Sequence, residues 1–126
     1  MSNSAVLSAT GVSIQTHATA PQLYEPFDIA VKAGECVALT GCSGTGKSLT
    51  VLSLIGLEPS GVISQGTVKW NDVVVDKTDR QQLAGKEVGL VLQDPVSALN
   101  PVISVGMQLQ ETVENLMSIK GKRAEK

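Results

Sequence analysis

The stretch Gly41-Cys42-Ser43-Gly44-Thr45-Gly46-Lys47-Ser48 fits the pattern G-x-x-x-x-G-K-S/T, and the rest of the chain is best read outward from it. Small residues at these spacings let consecutive backbone N–H groups turn inward as an anion-binding nest. A helix that starts where the loop ends aims the positive end of its dipole at the same point. The pattern predicts that Lys47 reaches the β and γ phosphates of a nucleotide and that the Ser48 hydroxyl ligates Mg²⁺. A plain Gly/Ser turn between two elements is the simpler alternative, so the flanking residues decide.

Those flanks supply the strand and helix that the loop requires. Cys36, Val37, Ala38 and Leu39 form a short, nearly continuous apolar run, as expected of a parallel strand buried on both faces. After the loop, Leu49, Val51, Leu52, Leu54 and Ile55 place apolar side chains almost all round a helix, which predicts a buried one. Gly56 is a suitable residue to end it.

Further out, the period changes from helical to alternating. Phe27, Ile29 and Val31 alternate with Asp28, Ala30 and Lys32, and Val12 and Ile14 flank Ser13 in the same way. Thr67 to Trp70 and Val73 to Val75 read as two β runs around an Asn71-Asp72 turn. Antiparallel strands therefore precede and follow the phosphate loop, and the fold class is α/β. Thr78 with Gln81 fits a capping box opening a short helix, and Val88 to Leu92 reads as another strand with Gln93 at its exit. Ser104 is placed to cap a last helix whose Leu109, Val113, Leu116 and Met117 share one face, read as a core face.

The chain has 126 residues and 42% hydrophobic content, enough for one domain or part of one. Ten basic and 12 acidic residues give a net charge of −2, which leaves no electrostatic footprint for a nucleic acid partner. Lys120, Lys122, Arg123 and Lys126 cluster, but read best as a solvated helix terminus. Met1 to Gly11 lacks the basic start and apolar stretch of a signal peptide, and no apolar run approaches the roughly 18 residues of a membrane span. Any membrane role is expected to come through a partner. Cys36 and Cys42 have neither zinc spacing nor a disulfide framework and read as free thiols. Cys42, inside the nest and near Lys47, is a candidate reactive thiol that nucleotide would protect; an inert small residue is the alternative.

At Gln93 a resemblance sharpens the reading. The run Val91-Leu92-Gln93-Asp94-Pro95-Val96-Ser97-Ala98-Leu99-Asn100-Pro101 resembles the glutamine-loop segment of ABC transporter ATPases, particularly the branch serving peptide and nickel importers, where QDP, a serine and LNP recur. The order of features matches as well: antiparallel strands, phosphate loop, helix, hairpin, then a glutamine 46 positions after the lysine (93 minus 47). The resemblance implies a P-loop NTPase core of ABC type with an antiparallel β subdomain, residues 1–93 forming that subdomain and core and 94–126 the start of a helical subdomain. It also implies that the chain is an N-terminal portion, with an incomplete sheet that leaves an uncovered apolar face near Cys36 to Leu39.

By the same resemblance the chain belongs to the ATP-binding subunit of an importer, peripheral on the cytoplasmic face of the membrane, with ATP and Mg²⁺ as cofactors. Gly41, Cys42, Ser43, Gly44, Thr45, Gly46, Lys47 and Ser48 would hold the nucleotide, and Gln93 would position Mg²⁺ or the attacking water while hinging the helical subdomain. Partners implied are membrane permease subunits, a second ATPase subunit and, indirectly, a solute-binding protein. Two departures stand out. Where the family stacks an aromatic on adenine stand Thr16 and His17, with Tyr24 near enough in sequence to substitute. The Leu-Ser-Gly-Gly-Gln signature, the Asp-Glu strand end and the switch histidine are absent from the 126 residues, so binding with little or no hydrolysis is expected of them. A P-loop kinase or GTPase, a soluble ABC-type ATPase and a non-catalytic nucleotide-binding fragment are the competing classes.

Overall fold

β1 spans Ala5–Gln15, β2 Phe27–Lys32, β3 Ile63–Trp70 and β4 Val73–Val74 in the computed structural model, which describes residues 4–117. They form one antiparallel sheet in the order β2-β1-β3-β4. The alternation read in β2 is present, with Phe27, Ile29 and Val31 half-buried and Asp28, Ala30 and Lys32 exposed. The β3–β4 hairpin turns on Asn71 and Asp72, whose φ angles of 48° and 66° are those of the two-residue turn that follows the strands' right-handed twist.

β1 does not keep a simple alternation. Thr10 faces Thr67 and Ser13 faces Gln65, so β1 takes one more step than β3 and bulges at Gly11. The Gly11 amide donates to Asp28 Oδ1 at 2.8 Å, which ties the bulge to β2. The extra residue shifts the side-chain phase by one. Leu7 and Ala9 before it and Val12 after it therefore join the same core, with Val68 and with Phe27, Ile29 and Val75 around them. Ser13, expected on the open face, is buried and accepts from Gln22 Nε2 at 3.2 Å.

α1 (Lys47–Leu54) packs on this sheet through Leu54, while Thr50 and Ser53 are also buried. Its far side is not covered as the all-round apolar pattern predicts: Val51 is 42% exposed. Cys36 to Leu39 likewise pairs with no strand, and Val37 is 41% exposed. The two corrections have one cause. A parallel strand is completed by ladder bonds to a neighbour, and the described residues supply only the antiparallel sheet.

α1 ends as Gly56 predicts. With φ at 75°, Gly56 lets its amide reach the Ser53 carbonyl at 3.1 Å and the Leu57 amide reach the Leu52 carbonyl at 2.8 Å, the paired bonds of a left-handed helix stop. α2 (Lys77–Leu83) then lies against this end, with Arg80 Nη1 donating to the Ser53 carbonyl and Gln81 Nε2 to the Gly56 carbonyl. Its capping box is not Thr78 with Gln81 but Asp76 with Asp79: the Asp79 amide donates to Asp76 Oδ1 at 2.8 Å and the Asp76 amide to Asp79 Oδ2 at 3.3 Å.

The chain divides into two units, the first running to Gln81 and the second starting at Gln82. In the second unit Val88 makes a single bridge to Ala84, and the residues after it form no strand; Val91 is 92% exposed. α3 (Val105–Met117) is capped as expected, with the Met107 amide on Ser104 Oγ at 3.3 Å. Its apolar stripe is not core: Leu109 and Leu116 are exposed, and no residue of α3 is buried. Gln108 instead fastens the preceding loop, donating to the carbonyls of Asn100 and Ile103 and accepting from the Asn100 amide at 3.0 Å. The basic cluster at Lys120 to Lys126 lies outside the described residues.

Candidate functional site

Gly46 is the hinge between loop and helix. It is the N-cap of α1 at φ 89° and ψ 11°, and no side chain caps the helix there. Only glycine suits the position: a Cβ would stand 2.8 Å from Leu23 Cδ1 in a backbone conformation that L residues rarely adopt. The Gly46 carbonyl turns down into the helix and accepts from the Thr50 amide at 2.8 Å and from Thr50 Oγ1 at 2.9 Å. The opening N–H groups of α1 therefore face out of its start, where the helix dipole is positive.

Lys47 is the first residue of α1, and its side chain folds back over the loop. Nζ donates to the Gly41 carbonyl at 2.9 Å and to the Cys42 carbonyl at 2.5 Å, and Thr45 Oγ1 joins the Cys42 carbonyl at 2.8 Å. The loop is thus closed on itself around an ammonium group. That arrangement holds positive charge at a helix start with uncapped donors, which is what a polyphosphate needs. Ser48, exposed in the first turn of α1, stands beside it in sequence.

Beside the loop lies a cavity of about 340 Å³, lined among others by Tyr24, Phe27, Leu39, Thr45, Lys47 and Thr50. The rings of Tyr24 and Phe27 meet with centroids 5.4 Å apart and planes tilted by 57°. The Tyr24 hydroxyl is 2.5 Å from Thr50 Oγ1. Burial pushes the Tyr24 phenol above its usual range.

The sequence-predicted residues Gly41 to Ser48 are thus brought together in one loop and helix start. Cys42 is exposed in it. Gln93 belongs to the second unit, in an exposed stretch. His17 is exposed, with Nδ1 3.1 Å from Thr19 Oγ1, and does not line the cavity; Tyr24 does. Thr50 was not singled out by the sequence. Its signal is its place four residues after Gly46, from which a threonine hydroxyl in a helix reaches the carbonyl one turn back.

A phosphate-type loop at the start of a helix, set beside an antiparallel sheet, defines a nucleotide-binding protein class. Residues 24–126 match the ABC transporter family, and the chain belongs to it. It is 38% identical over 102 residues to the oligopeptide transport ATP-binding protein AppD of Bacillus subtilis, an alignment covering 77% of this chain and 31% of that protein. It is 39% identical over 94 residues to the nickel import ATP-binding protein NikE of Escherichia coli, covering 73% and 34%. The oligopeptide transport ATP-binding protein OppD of Mycobacterium tuberculosis is 38% identical over 97 residues, covering 75% and 16%. The chain spans about a third or less of the length of these curated relatives. Among the described residues no helix is long and apolar enough to cross a membrane.

Proposed function

We propose that this chain is the nucleotide-binding part of an ATPase subunit that drives import of peptides, nickel or similar small solutes. Family membership and the names borne by its relatives support the transport class. One observation carries the nucleotide reading: the Lys47 ammonium, 2.9 Å from the Gly41 carbonyl, sits in a loop that opens onto an uncapped helix start.

In this reading the amides of Gly41 to Ser48 and the Lys47 ammonium hold the triphosphate of ATP. The Ser48 hydroxyl holds Mg²⁺. ATP supplies the phosphoryl group whose hydrolysis powers transport. The protein works at the cytoplasmic face of the membrane with permease subunits and a second ATPase subunit. The 126 residues contain neither a signature run nor a switch histidine, so by themselves they bind Mg-ATP and hardly hydrolyse it.

Calorimetric titration of the chain with Mg-ATP tests the reading. Saturable binding is expected, weakened roughly tenfold or more by Lys47→Ala, which removes a charge-assisted contact to phosphate. Equal affinity in the variant, or no binding to the unsubstituted chain, sinks it.

A further inference from the structure

We propose that Tyr24 is a positioning residue of the phosphate loop, acting through Thr50 to hold the peptide between Gly46 and Lys47 with its N–H toward the loop mouth. The inference rests on the nucleotide reading above and concerns how the loop is set before a ligand arrives.

A threonine hydroxyl has one hydrogen, and that of Thr50 is given to the Gly46 carbonyl at 2.9 Å. In the 2.5 Å contact between the Tyr24 hydroxyl and Thr50 Oγ1, the tyrosine is therefore the donor. The result is a directed chain from Tyr24 to Thr50 to the Gly46 carbonyl. Because a peptide is planar and trans, its C=O and N–H point in opposite directions. Fixing the Gly46 carbonyl down the helix thus fixes the Lys47 N–H outward, where the helix start collects anions.

The pin sits where the backbone is least constrained. Gly46 lies at φ 89°, and glycine crosses between backbone regions more freely than any other residue. In helices a threonine hydroxyl divides between two rotamers, one of which bonds the carbonyl a turn back. A donor from outside the helix selects that rotamer. Leu23 and Tyr24 add a steric wall, since a Cβ at Gly46 would meet Leu23 Cδ1 at 2.8 Å and Tyr24 Cε1 at 3.4 Å.

The test compares two ligands, Mg-ATP and inorganic Mg-tripolyphosphate, the second having phosphates and no base. Both are titrated calorimetrically into the 126-residue chain and into Tyr24→Phe, Thr50→Val, Thr50→Ser and the Tyr24→Phe/Thr50→Val double variant. Tyr24→Phe is expected to weaken both ligands by the same factor, roughly fivefold for one lost neutral hydrogen bond. Thr50→Val should do at least as much, Thr50→Ser should restore most of what Thr50→Val loses, and the double variant should be no weaker than Thr50→Val alone. A loss confined to ATP overturns the proposal, because the ring would then serve the base. Unchanged affinity for both ligands in Tyr24→Phe also overturns it while leaving the nucleotide reading intact. Failure of the unsubstituted chain to bind either ligand removes that reading and this inference together.

Discussion

Gln81 Nε2 donates to the carbonyl of Gly56 at 2.9 Å, so a side chain of α2 closes the last turn of α1 across 25 positions of sequence. The final carbonyls of a helix have no partner within it. Here the Ser53 carbonyl accepts from Arg80 and from the Gly56 amide, that of Leu52 from the Leu57 amide, and Gln81 holds the Gly56 carbonyl just beyond the helix. The helix that begins at the phosphate loop is therefore fastened at its far end by two backbone amides and two side chains of α2.

Gly56 is the residue on which that contact depends. Its φ is 75°, and an added Cβ would lie 2.8 Å from the Lys77 carbonyl oxygen and 3.1 Å from Arg80 Cβ. Gly56→Ala is expected to cost about 2–3 kcal/mol, from left-handed backbone strain and from pushing α2 away. Urea denaturation measures it, and a loss below about 0.5 kcal/mol would mean that α2 yields without resistance.

The start of α2 gives a second prediction. Asp76 and Asp79 exchange side-chain to backbone bonds across the first turn. Asp76→Ala should therefore cost about 1 kcal/mol, whereas Thr78→Ala should stay within about 0.5 kcal/mol. Comparable losses from the two substitutions in the same denaturation series would return the cap to Thr78.

Thr78-x-x-Gln81 satisfies the box pattern as well as Asp76-x-x-Asp79 does, and only the docking of Gln81 on Gly56 separates them. Local chemistry was legible wherever it acts alone: the Gly46-Lys47 loop, the Asn71-Asp72 turn, the Gly56 stop and the Ser104 cap. What depends on a partner was not. Cys36 to Leu39 and Val88 to Leu92 have the composition of buried strands, yet a strand forms only against a neighbour, and the described residues offer the first none and the second a single bridge at Val88. Leu109 and Leu116 form an apolar stripe that periodicity assigns to a core, but periodicity does not say whether a core is there. Within the site the loop is legible as a motif, while the Tyr24–Thr50 contact is not, because it joins residues 26 positions apart.

Glu58 supplies a third prediction. Its side chain is 4% exposed, Oε1 is 2.9 Å from Lys77 Nζ and accepts from Ser64 Oγ, and Oε2 has no partner among the described residues. A buried carboxylate that loses its cation is costly, whereas the loss is softened here because Lys77 is half exposed. Lys77→Met is expected to lower stability by about 1–2 kcal/mol, and adding Glu58→Gln should recover part of it. If the double variant is as unstable as the sum of the single ones, the two side chains are not coupled.

The last prediction uses the chain's single tyrosine. Burial raises the Tyr24 phenol above its usual range. An acid whose folded value is raised keeps its proton in the folded chain when the unfolded chain has already lost it. Well below pH 10 both states are protonated and the group adds no pH dependence. From there upward the unfolded state binds fewer protons, so stability falls as pH rises through the folded value. Tyr24→Phe lacks the ionisation, and its stability should fall less over the same range. Phenolate absorbance, which reports Tyr24 alone, should rise at higher pH in the folded chain than in the chain unfolded by urea. Coincident titration curves in the two states would show that the hydroxyl is as well solvated folded as unfolded, and would remove the partly buried donor on which the Thr50 contact depends.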